Sequence, residues 1–198
     1  IARYYMPSGR CIQKPYDHGI EAYDQDIMNR FHHGEFLHKD SVHLADTVKY
    51  FTLLKHRPVY GGEGITPDIF IPFDTTSLDG VQAALFRQNI FYDFTYEYYV
   101  HHKNDFSRYA SPEDFNTRFS ISDQLLQDFR RFALQDSVAN IGRMTPKDEV
   151  EIKNRMKSLF ARQLWRTEGY YRVSNSYDPM MEKAIEVLNN DKEYEALR

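Results

Sequence analysis

Three groups of residues have the types and spacing to do chemistry. The densest is His32, His33, Glu35, His38, Asp40 and His43, all metal-competent side chains close in sequence. A zincin helix needs two histidines four apart with a glutamate directly after the first. His33-Gly34-Glu35 has the wrong order and spacing for that, so the segment reads as a polar insertion, with structural or adventitious metal as its other use. The second group is Ser8 with Lys14. A lysine held neutral by burial can act as general base to a serine, yet Pro7-Ser8-Gly9 reads as a turn and Lys14 as a solvated side chain. The third is Gly61-Gly62-Glu63-Gly64, which permits positive φ and close backbone approach. Arg10 is placed to pair with Asp68 or Glu63 across that turn.

These groups need elements to hold them. Residues 1–13 alternate as a strand, a Pro7-Ser8-Gly9 turn and a second strand, Arg10 to Gln13. A polar stretch follows at about 14–46, within which Tyr23, Ile27 and Phe31 fall at helical spacing over Glu21 to Phe31. Strand character returns at Thr47 to Leu54, at Arg57-Pro58-Val59-Tyr60 and at Ile69 to Pro72.

At Asp74-Thr75-Thr76-Ser77 the composition changes and helix signals dominate to the end. Leu78 to about His102 reads as one long helix with apolar stripes through Val81, Leu85, Gln88 and Phe91 and through Phe86, Ile90 and Phe94. Ser111-Pro112, Ser122, Thr145-Pro146 and Asp178-Pro179 are helix starts. Ile152, Met156, Leu159, Phe160, Gln163 and Leu164 mark an inward face, with Gly169 as the stop. Met181, Ala184, Ile185 and Leu188 mark the inward face of the last helix. Strands first and helices afterwards argue for an α+β chain: a β-rich region over 1–74, interrupted at about 14–46, then a mainly helical domain of four to five helices over 75–198.

The 198 residues suffice for one domain or one and a fraction. Aromatics reach 15%, with 15 Tyr and 14 Phe against one Trp, which predicts a core of bulky rings with hydroxyls at its margin. The aromatic run Phe86, Phe91, Phe94, Tyr96, Tyr98 and Tyr99 suits packing against other helices, or else self-association. A formal charge of −4 disfavours nucleic acid and a polybasic membrane anchor. No apolar run is long enough to span a bilayer. The single Cys11 excludes an internal disulfide.

Two blocks in this order resemble the segment that follows the catalytic residues in carboxyl-terminal processing (tail-specific) serine peptidases. Tyr4, Tyr5, Pro7, Ser8, Gly9, Arg10, Ile12 and Gln13 match the first block, an aromatic pair before a Pro-Ser-Gly-Arg turn and Ile-Gln. Gly61, Gly62, Gly64, Ile65, Pro67 and Asp68 match the second, a glycine run before Ile-x-Pro-Asp. The close match covers about a third of the chain. It implies that the β region supplies closing strands of the protease core and that these motif residues are structural.

The family's nucleophile is a serine in a Gly/Ala/Ser-rich turn, activated by a lysine in a Gly-Lys-Gly context. Neither pattern occurs here. With a start at Ile1 in mid-strand, the resemblance implies a non-catalytic C-terminal fragment whose Ser and Lys lie upstream. No catalytic, metal or cofactor residue is assigned, and no cofactor is expected. The implied partners are the N-terminal half of the same protein and protein substrates with unstructured C-terminal ends. A homodimer is a further option, and the implied location is periplasmic or cell-envelope associated. The alternative is a non-enzymatic helical module for protein interaction or dimerisation.

Overall fold

The computed structural model describes residues 2–14, 16–41, 49–62, 64–73, 80–135 and 138–197. The chain divides into two compact units, Ile1–Asp74 together with Asp191–Arg198, and Thr75–Asn190. The sequence places 191–198 with the helical domain; in the structure they join the first unit. The composition change at 74–77 lies outside the described residues. The whole is mostly helical with a small two-stranded antiparallel sheet, an α+β chain.

In the first unit, α1 spans Gly19–His32. Gly19 starts it at φ 86°, and Tyr16 stacks on Tyr23 with ring centroids 4.0 Å apart. The helix ends at Gly34, φ 79°. The Gly34 N–H donates to the Phe31 carbonyl at 3.0 Å and the Glu35 N–H to the Arg30 carbonyl at 3.1 Å. That is a Schellman ending, which satisfies carbonyls the helix leaves unpaired. Strands β1 (Lys49–Phe51) and β2 (Pro58–Tyr60) pair antiparallel, with Tyr50 opposite Val59. The tail forms α9, Asp191–Leu197.

Three expected strands are missing. Residues 2–6, 10–13 and 69–72 form no ladder, because a strand needs a continuous run of paired backbone groups and isolated bonds do not make one. Among the described residues of this unit, only Arg10 and Glu35 are buried, 8% and 7% exposed. Both are charged, so no hydrophobic side chain of the unit is buried among the described residues. Tyr4, Tyr5, Leu53, Leu54 and Ile65 are exposed instead.

The second unit carries the hydrophobic core. The expected long helix is two, α2 (Val81–Arg87) and α3 (Ile90–His101), because Asn89 turns left-handed at φ 59°. Asn tolerates that region better than most side chains. Leu78 lies outside the described residues. Helices α4 (Lys103–Phe106), α5 (Pro112–Arg118) and α6 (Asp123–Gln135) follow. Then come α7 (Pro146–Ser174) and α8 (Pro179–Leu188). The Ser111 hydroxyl accepts from Asp114 N, Thr145 and Asp148 form a reciprocal capping box, and Asp178 accepts from Met180 N.

Rings fill the centre. Phe129 meets Phe91 at 5.4 Å and Phe94 at 5.2 Å, and Phe160 meets Tyr98 at 5.6 Å and Phe106 at 5.3 Å. Much of the aromatic run of α3 is therefore core, whereas Phe86 and Tyr96 remain exposed. The expected inward face of α8 points outward: Met181, Ile185 and Leu188 are exposed and Val187 is the buried residue. Helical periodicity marks an apolar face but not whether anything covers it.

Helix α7 breaks at Trp165 (φ −129°, ψ 19°) and Arg166 (φ 57°, ψ −140°), before the glycine expected to end it. The chain then folds back on itself. Gly169 comes so close to the preceding helix that a Cβ there would lie 2.4 Å from the Ala161 carbonyl oxygen. Gly169 serves close approach, not termination.

Candidate functional site

The two sequence blocks meet in the first unit. Met6, Pro7, Ser8 and Gly9 form a tight turn in which Gly9 N donates to the Met6 carbonyl at 2.8 Å. Gly9 supplies the positive φ of 78° that the reversal needs. Met6 N then bonds the Arg10 carbonyl at 2.8 Å. From the second block, Gly62 N donates to the Cys11 carbonyl at 2.9 Å and Gly64 N to the Ile12 carbonyl at 2.8 Å. Segments 50 residues apart thus lie side by side through main-chain bonds.

Arg10 is the centre of the junction. Its Nε donates to the Tyr60 carbonyl at 2.6 Å and its Nη2 to the Gly64 carbonyl at 3.2 Å. The expected pairing with Asp68 does not form: Asp68 pairs with Arg57, and Glu63 lies outside the described residues. A guanidinium has five donors in a rigid fork, so it can bridge two carbonyls from separate turns.

Tyr50 packs against the same junction. A Cβ on Gly61 would lie 2.9 Å from Tyr50 Cε2 and 3.0 Å from the Cys11 carbonyl oxygen. Tyr50 and Arg57 were not singled out by sequence, since a strand tyrosine and a turn arginine carry no spacing signal. Of the remaining motif residues, Tyr4 is 82% and Tyr5 64% exposed, Ile65 and Pro67 are exposed, and Gln13 is half-buried.

Beside the turn lies an open groove of about 580 Å³, lined by Met6, Ser8, Leu53, Leu54, Lys55 and Leu197 among others. Arg57 also donates to the Leu197 carbonyl, so the chain's tail sits at one end of this groove. Ser8 opens on it without a base. Lys14 is directed to Asp26, with which it is ion-paired, and not to Ser8.

The histidine-rich segment resolves into helix-end structure. His33 and Gly34 close α1, and Glu35 is buried against Arg30, whose Nε donates to it at 2.8 Å. Arg30 also sits over the Phe36 ring. Among the described residues no three His, Cys, Asp or Glu side chains form a metal-holding group; His43 lies outside them.

In the helical unit, burial lowers the Lys157 ammonium below the ordinary lysine range, while its Nζ donates to the Asn116 carbonyl at 2.6 Å. Burial likewise raises the Tyr177 phenol, which donates to the Asn154 carbonyl at 2.8 Å. Lys157 ties α7 to α5, and Tyr177 ties the turn after α7 back onto that helix. Among the described residues no helix is long and apolar enough to cross a membrane.

Residues 82–166, from α2 into α7, are similar to a family of unknown function, DUF8443. No curated protein and no solved structure matches the chain.

Proposed function

We propose that this chain is the C-terminal, non-catalytic part of a carboxyl-terminal processing serine endopeptidase. In this reading the first unit completes the sheet of the protease core, and the catalytic Ser and Lys precede Tyr4. The parent enzyme hydrolyses peptide bonds in proteins with unstructured C-terminal ends, in the periplasm or cell envelope.

The observation that carries this reading is the junction itself. Two motif blocks meet through Arg10, Gly62 and Gly64, in a unit that buries no hydrophobic side chain among its described residues. A layer of protein needs an apolar face against another layer to be stable. Exposed Tyr4, Tyr5, Met6, Leu53, Leu54 and Ile65 would supply the face that packs on such a core.

The test is the coding sequence upstream of Ile1, followed by reconstitution. The upstream frame should encode a PDZ-like segment, then a serine in a Gly/Ala/Ser turn and a lysine. Mixing that half with this chain should hydrolyse an unstructured peptide that neither part cleaves alone. A frame that begins at Ile1, or an intact upstream half that stays inactive on mixing, overturns the reading.

A second reading, a helical interaction module, is favoured by the exposed stripe Met180, Met181, Ile185 and Leu188 on α8. An upstream core with its Ser or Lys replaced would select this reading over the first.

A further inference from the structure

We propose that a second copy of this chain can take the place of the fold-back in α7, giving a dimer in which the chain beyond the hinge, residues 167–198, is exchanged. In the exchanged form α7 runs unbroken through Trp165 and Arg166, and each copy's 167–177 segment packs on the other's 146–164. This does not depend on the peptidase reading.

The starting point is a break that the local sequence does not ask for. Leu164-Trp165-Arg166-Thr167-Glu168 contains no Pro or Gly, and Leu, Arg and Glu are good helix formers. Yet Arg166 sits at φ 57°, ψ −140°, a region that a side chain with a Cβ enters only under constraint. Such strain shifts an equilibrium about tenfold or more. Something outside the hinge must hold it.

The holding contacts are plain. Gly169 lies against Ala161, and Val173 is fully buried. Arg155 Nη1 donates to the Tyr170 hydroxyl at 3.0 Å, and Arg172 pairs with Glu113 at 2.6 Å. Tyr177 bonds both the Asn154 carbonyl and the Ser158 hydroxyl. All of these join residues 167–177 to residues that precede the hinge. A second copy offers the identical set, so exchange loses none of them and releases the strain in both chains. A short strained hinge is the usual setting for domain swapping.

The experiment refolds the full chain at high concentration and separates monomer from dimer. A Cys11→Ser background carries spin labels at two exposed positions, through Val150→Cys and Tyr171→Cys, diluted with unlabelled chain. In monomer the two labels should lie within about 20 Å, on adjacent antiparallel segments about 10 Å apart. In the dimer fraction a continuous helix separates them by about 32 Å, 21 residues at 1.5 Å each.

Arg166→Gly removes the strain and weakens the continuous helix, so the dimer fraction should fall about tenfold or more. Three results overturn the proposal: no dimer at any concentration, a dimer whose intrachain distance stays short, or a dimer fraction unchanged by Arg166→Gly.

Discussion

The guanidinium of Arg10 donates to the Tyr60 carbonyl at 2.6 Å, joining residues 50 apart in a unit that buries no hydrophobic side chain among those described. With its second bond to Gly64, it stands where an apolar core would otherwise fix two turns. Arg10→Ala leaves both carbonyls without this partner. Hydrogen bonds to a charged group contribute about 1.5–3 kcal/mol, so local opening of the junction should rise about tenfold or more. Hydrogen exchange at the Gly62 and Gly64 amides, which bond Cys11 and Ile12, measures it. Arg10→Lys should be intermediate, because one ammonium replaces a fork that spans both carbonyls. Exchange rates unchanged in Arg10→Ala would show that the main-chain bonds hold the junction alone.

The glycines beside Arg10 should separate by cause. Gly61 has no positive φ, but its Cβ would press on Tyr50 and on the Cys11 carbonyl oxygen. Gly61→Ala therefore costs packing, about 1–3 kcal/mol, and Tyr50→Ala should rescue part of it. Gly62 has open space and a φ of 89°, so Gly62→Ala costs backbone strain of about 1–2 kcal/mol that no partner substitution relieves. Double-variant measurements of amide exchange across the junction discriminate the two.

Gly169→Ala should be the most damaging glycine substitution in the helical unit. The atom it would meet at 2.4 Å is the Ala161 carbonyl oxygen, part of the helix backbone and unable to rotate away. A cost at or above the upper end of overpacking, about 3 kcal/mol, is expected. Thermal unfolding should move down by about 10 °C or more. Gly142→Ala, where nothing lies within 4 Å, should stay within about 0.5 kcal/mol of the parent. Equal effects from the two would mean that the fold-back is not packed this closely.

The helix starts were legible because they rest on local chemistry: Ser111, Thr145 and Asp178 each cap a helix with a proline one residue on. The turn at Ser8-Gly9 was legible for the same reason. The hinge at Trp165 and Arg166 was not, since tertiary contacts hold it against local preference. The partners of Arg10 were also hidden: sequence names acidic candidates for an arginine, whereas backbone carbonyls appear only once the turns are built. Glu35 stood in the sequence only as one of several metal-competent side chains in a polar insertion, because spacing says nothing about burial beside Arg30.

The α7 capping box should give the helical unit an acid-sensitive component. Burial pushes the Asp148 carboxyl up, but bonds from the Thr145 amide and hydroxyl and from Gln82, with Lys147 nearby, outweigh it and hold the group below the usual range. A depressed folded pKa stabilises the fold above the unfolded value of about 3.9 and loses that contribution as pH falls through the folded value. Bonds from the Arg118 side chain and the Ala110 amide lower Asp114 likewise, so the two carboxylates act in the same window. Asp148→Asn keeps an accepting oxygen but not the charge. Its melting temperature should lie below the parent's at pH 6, and the two curves should approach each other below pH ~4. A gap that persists unchanged into acid would assign the difference to lost geometry at the cap instead of to ionisation.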